Sequence, residues 1–220
     1  MGAKCIALLG AESTGKTRLA DELTRHLLGR GLRARAVPEV LREWCVREGR
    51  APRPEEQLAI AREQEARVDA ALAGADIVVA DTSALMVAIY AGMLFPDGEL
   101  RRFTVKRQMR YDATLVTGLD LPWVPDGLHR DAAAPREDVD ALVRALLQGA
   151  GIAFQVVYGE GPQRLAGALQ ALMAAGVLPA GTAARASAQE ARRPWVWACD
   201  KCSDPECEHR LFTQLRGDRG

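Results

Sequence analysis

The sequence predicts an α/β protein, a five-stranded and mainly parallel sheet covered by helices on both faces, with a small cysteine-bearing tail behind it. Three observations predict it. Short apolar runs alternate with amphipathic stretches as far as residue 175. The first run leads straight into "GAESTGKT", and the third, "DIVVAD", ends in a carboxylate. Alternation of this kind implies right-handed crossovers and parallel strands buried on both faces, a three-layer sandwich.

The elements follow in order. Strands are expected over 4–9, 33–37, 76–80, 113–117 and 152–157, where the runs are short and apolar. Helices are expected between them over 16–28, 40–48, 54–72, 83–93, 97–110, 135–147 and 163–175. Pro54 and Pro135 open two of these, at the position where a first helical turn tolerates a missing N–H. From residue 177 the composition turns to Ala, Arg and Pro without an apolar period, which reads as a linker over 177–194. A tail with its own aromatics and cysteines fills 195–220, so the main domain is 1–176. No internal repeat is found.

Composition narrows the function. The chain has 220 residues, 48% of them hydrophobic, enough for a sizeable core. Its 29 basic and 29 acidic residues cancel, which argues against non-specific nucleic-acid binding as the main activity. No apolar stretch approaches the ~20 residues needed to span a bilayer, and no signal peptide is recognisable. Cys5 and Cys45 are isolated, and the remaining three cysteines crowd the tail, unlike a disulfide framework. A cytoplasmic, reduced protein is expected.

The motif G-x-x-x-x-G-K-[ST] spans Gly10, Ala11, Glu12, Ser13, Thr14, Gly15, Lys16 and Thr17. Its glycines let the loop curl until backbone N–H groups converge on phosphate oxygens. Lys16 then reaches the β- and γ-phosphates, Thr17 can ligate Mg²⁺, and the helix that follows adds its positive end. This is the phosphate-binding loop (P-loop) of ATP-binding proteins, and its context, after a strand and before a helix, is the one it requires. Asp81 ends an apolar strand beside it and suits Mg²⁺ through water, the role of proton acceptor, or the N-cap of the next helix. "PEVLREW" sets Glu39 and Arg42 three apart, on one helix face, either to grip an acceptor or as a solvated helix start.

The loop "DLPWVPDGLHRD" over 120–131 is too rich in Pro and Gly for helix or strand, yet it carries Trp123. Taken in order, "GAESTGKT", "PEVLRE", "ADTS" and this loop resemble the ribosylnicotinamide kinase domain of bacterial NAD-biosynthesis regulators and related small P-loop ATPases. The resemblance covers roughly residues 4–175. It implies a nucleoside- or nucleotide-kinase-like fold that moves the γ-phosphoryl of ATP to a ribose-type hydroxyl, possible acceptors including nicotinamide riboside. It also implies that Glu39, Arg42, Asp81, Trp123 and Asp126 face the acceptor. The loop becomes a lid, with Arg130 (or His129) bringing charge to the transferred group, so that Lys16, Asp81 and Arg130 are the catalytic set. Ser83 and "ALMVAIY" depart from the family pattern, which has a second Asp and threonines there. The alternative from another class is a regulatory ATP-binding switch whose tail docks a protein or nucleic acid.

In the tail, Cys199, Cys202, Cys207 and His209 have the spacing of a closed Cys₃His site for structural Zn²⁺. A tail this short cannot bury enough surface to fold alone, whereas zinc contributes roughly 10–16 kcal/mol to small finger peptides.

Overall fold

The apolar runs become five strands and the amphipathic stretches seven helices in a computed structural model that describes residues 2–94, 98–124 and 135–179. In chain order these are β1 (Lys4–Leu9), α1 (Lys16–Gly29), β2 (Ala34–Val37), α2 (Val40–Glu48), α3 (Pro54–Leu72), β3 (Ile77–Asp81), α4 (Ala84–Leu94), α5 (Gly98–Gln108), β4 (Ala113–Thr117), α6 (Arg136–Gly149), β5 (Gln155–Val157) and α7 (Gly161–Ala174).

All four strand pairings are parallel, in the order β2-β3-β1-β4-β5. The central strand shows why helices must cover both faces. Ile6 and Leu8 point into a cluster with Leu19 and Leu23 of α1 and Leu169 and Leu172 of α7. Ala7 and Leu9, on the opposite face by the two-residue period of a strand, join Leu85 and Ile89 of α4 and Val143 and Leu147 of α6. Cys5 lies with Val68 and Ala71 of α3. The result is a P-loop NTPase-like α/β sandwich. Among the described residues, no helix is long and apolar enough to cross a membrane.

Several boundaries lie one to three residues from the sequence pattern, three of them with a local feature beside them. Strand β3 runs Ile77–Asp81, one residue later than expected, and the Asp76 carboxylate braces the turn before it. It accepts from the Arg33 backbone N–H at 2.9 Å and from the Arg33 guanidinium at 2.6 Å. Asp81 therefore pairs in register with Leu8 as the last strand residue. Strand β5 keeps only three residues, since the Ile152 N–H closes the end of α6 on the Leu147 carbonyl (2.9 Å) while Ile152 and Phe154 pack against the α6 side of the sheet. Helix α7 begins two residues early, at Gly161, with Pro162 in its first turn.

Chain order places the functional edge. After β1 the chain visits β2 and β3 on one side, then crosses to β4 and β5 on the other. In open parallel sheets ligands settle at the carboxyl ends of the strands beside such a switch. The loop after β1 sits there, between Asp81 and Thr117.

Candidate active site

The segment joining β1 to α1 is built from unusual backbone. Gly10 (φ 139°) and Gly15 (φ 77°) take values that side chains oppose, and Ser13 is left-handed at φ 54°. A Cβ on Gly10 would lie 2.4 Å from the Thr117 hydroxyl oxygen, so only glycine lets the loop lie this close to β4. The buried Thr14 fastens the same contact. Its hydroxyl reaches the Ala11 carbonyl (2.7 Å) and the Thr117 hydroxyl (2.6 Å), which in turn lies 3.1 Å from the Leu9 carbonyl.

The loop's carbonyls are occupied from outside. Lys16 Nζ donates to Gly10 O at 3.0 Å and to Ala11 O at 2.7 Å, and Arg164 Nη1 donates to Thr14 O. A loop whose carbonyls are satisfied this way leaves its N–H groups for an anion. Ser13 Oγ donates to the Val124 carbonyl at 2.6 Å, which ties the start of the loop after β4 to the cradle.

Around it lies a cavity of about 490 Å³, whose lining includes Ser13 to Arg18, Glu39, Arg42, Leu121, Pro122, Val124 and Arg164. Glu39 occupies the N-cap position of α2, and its carboxylate lies 3.6 Å from Arg42 Nε. The third charged residue of that motif goes elsewhere: Glu43 pairs with Arg67 of α3 at 2.5 Å. The structure thus brings Glu39 and Arg42 to the phosphate cradle. Trp123 is exposed, and it is its neighbours that line the cavity.

Asp81 is buried at the end of β3 and accepts a hydrogen bond from Thr17. Burial raises its carboxyl above the ordinary range, opposed by that hydrogen bond and by the charges of Lys16 and Arg42. Its Oδ1 has no hydrogen-bond partner among the described residues. An orphaned buried carboxylate oxygen next to a threonine hydroxyl is a donor set that fits Mg²⁺, a hard cation that takes few protein ligands and completes its shell with water and phosphate. Among the described residues there is no group of three or more His, Cys, Asp or Glu able to hold a metal by themselves.

Directly after Asp81 the backbone is strained, since Thr82 is left-handed at φ 70°, an outlier for a β-branched residue. That turn sends the chain into α4. Ser83 is buried, its hydroxyl donating to Gln108 Oε1 at 2.5 Å and accepting from Leu85 N–H at 3.2 Å. It caps α4 and braces α5, which accounts for the serine in structural terms.

Sequence reasoning did not single out Arg164 or Asp120. Arg164 Nε donates to Gly159 O (2.5 Å) and Nη2 to Asp120 Oδ1 (2.6 Å). Nothing local to "GPQRL" separates this arginine from the many others in the chain. Asp126, His129 and Arg130 lie outside the described residues, as do Cys199, Cys202, Cys207 and His209.

A family model described as AAA domain matches residues 5–164. No curated protein matches the chain in sequence. Among solved structures, one titled "Crystal structure of NadR protein in complex with NAD and AMP-PNP" superposes with a TM-score of 0.61 at 19% identity, covering 80% of this chain and 50% of that one. Another, "Crystal structure of NadR protein in complex with NR", gives a TM-score of 0.63 at 21% identity, covering 80% and 51%. The chain spans about half the length of either protein, and the likeness is one of fold.

Proposed function

Since the chain belongs to the AAA domain family, we propose that it is an ATP-dependent phosphotransferase that moves the γ-phosphoryl to a hydroxyl of a nucleoside-like acceptor, with nicotinamide riboside the first to test. One observation carries the reading: Lys16 and Thr17 share a cavity with Glu39 and Arg42, so a nucleotide-binding cradle and an acceptor-gripping pair open on the same space. The neighbours whose titles name AMP-PNP, NAD and NR lend support.

In this reading Gly10 to Thr17 hold the phosphates of ATP. Lys16 exchanges the Gly10 and Ala11 carbonyls for phosphate oxygens, a move across one loop. Thr17 and Asp81 would hold Mg²⁺, which supplies charge neutralisation on the transferring phosphates. If Asp81 is instead the proton acceptor, its Oδ1 takes the proton leaving the attacking hydroxyl; Glu39 with Arg42 orients the sugar. The loop that starts with Leu121–Val124 acts as the lid, whose closure would bring Trp123, exposed in this structure, and Asp126 toward the acceptor, with Arg130 or His129 as its cation. The Cys₃His tail over 195–220 holds structural zinc, beyond the folded domain and the linker that follows it.

The test is ADP release by the whole protein, with and without nicotinamide riboside and a panel of nucleosides. Lys16→Ala is expected to stay folded and lose most turnover, because Lys16 is only part-buried and its amine bonds the loop carbonyls rather than packing in the apolar core. Hydrolysis that no nucleoside stimulates would point instead to a regulatory ATPase, and a folded Lys16→Ala protein with full turnover would remove the cradle from the mechanism.

A further inference from the structure

We propose that Arg164 is a positioning residue of the phosphate cradle and that Asp120 sets its orientation; the inference rests on the nucleotide reading above. The guanidinium of Arg164 joins three pieces of the sheet edge that are far apart in sequence. Nη1 donates to the Thr14 carbonyl of the cradle, Nε to the Gly159 carbonyl after β5, and Nη2 to the Asp120 carboxylate after β4. Asp120 completes the frame by accepting from the Gly159 N–H through its other oxygen at 2.5 Å. Arg164 is 3% exposed, so its guanidinium is held inside the fold, while Asp120 meets it from the solvent side.

The chemistry follows from what an anion-binding loop requires. Its N–H groups can converge only if its carbonyls diverge and find donors behind the loop. The Ala11 carbonyl has the Thr14 hydroxyl as a second donor and can release Lys16 to a ligand. The Thr14 carbonyl, by contrast, is held by Arg164. The contact also lies against Gly15, where an added Cβ would meet Arg164 Nη1 at 3.4 Å and Leu121 Cδ1 at 3.0 Å. Arg164 thus holds the last turn of the cradle in place just where the helix opens at Lys16. A lysine cannot do this, because an ammonium lacks the planar fork that meets three acceptors in fixed directions.

The experiment measures affinity for ATP and for inorganic tripolyphosphate, which engages the cradle alone, together with the unfolding midpoint of the free protein. Arg164→Met is expected to weaken both ligands by a similar factor of at least about tenfold, the scale of a hydrogen bond to a charged group. Arg164→Lys keeps the charge and is expected to recover little of that loss. Asp120→Asn, on the surface side of the frame, should weaken both ligands by a few fold with an unfolding midpoint close to wild type. A purely structural role would lower the midpoint of Arg164→Met and leave the affinities alone, which overturns the proposal. Wild-type affinity in Arg164→Lys overturns it too, since charge alone would then suffice. Should Arg164→Met not fold, Asp120→Asn decides: unchanged affinities sink the inference. Wild-type protein that binds neither ligand refutes the nucleotide reading itself, whereas wild-type binding with indifferent variants refutes only this step.

Discussion

Burial of Asp81 disfavours its charged form, yet the chemistry assigned to it needs that charge. Its carboxyl is raised above the ordinary 3.8, so between the two values the folded protein binds more protons than the unfolded chain. Stability then falls as pH rises through that window. Asp81→Asn keeps the shape without the charge. It is expected to raise the unfolding midpoint at pH 7, by a margin that shrinks toward pH 4, while cutting turnover by at least about a hundredfold, the low end for loss of a proton acceptor. Thermal melts across pH, paired with kinetics, check both halves; an Asn variant that turns over normally, or that is least stable at pH 7, contradicts the assignment. The strand-end positions of Asp81 and of the Gly10–Thr17 loop were legible in sequence because an apolar run precedes each and the glycine spacing marks the turn. Arg164 and Asp120 were not. Their contacts join residue 14 to residue 164 through the closed sheet, and no local pattern announces a pairing 150 residues long.

At the scale of elements, α3 does more than cover the sheet. Gln64 accepts from the Val40 N–H at 2.8 Å, and Glu65 accepts from the Ala84 N–H at 3.0 Å. The first turns of α2 and α4, which follow Glu39 and Asp81, are therefore capped from a neighbouring helix. Glu65 also accepts from Arg107 Nε at 3.0 Å and from the Tyr111 hydroxyl at 3.2 Å, and its side chain is almost wholly buried. Removing one member of a buried charged network strands the others. Glu65→Ala is expected to cost about 3–5 kcal/mol in urea unfolding, and to slow turnover through the displaced start of α4. A cost below about 1 kcal/mol, as for an exposed pair, would show the network to be incidental. Helix α3 itself was plain in sequence from its length and Pro54. Its capping role was hidden, since a glutamate in a helical stretch reads as solvated until the tertiary fold supplies Arg107 and Tyr111.

For the whole molecule, sequence and structure end the folded unit at different residues. The apolar content that marks the domain fades after residue 176 in sequence, yet Val177 and Leu178 are buried in the cluster that α1 and α7 form on β1. Their backbone N–H groups both donate to the Leu172 carbonyl, at 2.9 and 3.2 Å. Two side chains of this size contribute roughly 3–6 kcal/mol when fully buried. A variant ending at Pro179 is therefore expected to keep the unfolding midpoint and ATP affinity of the full chain, whereas one ending at residue 176 should be less stable by about that amount. Metal analysis separates the tail from the domain. The full chain is expected to carry about one zinc, lost in Cys202→Ser because three ligands leave a tetrahedral shell incomplete, and absent from the variant ending at Pro179. Zinc-free full-length protein from zinc-replete medium would leave the cysteines without a structural metal. A Pro179 variant with weakened ATP binding would mean that the cradle depends on residues beyond the sheet, and the division of the chain into a P-loop domain and a separate zinc-held tail would have to be given up.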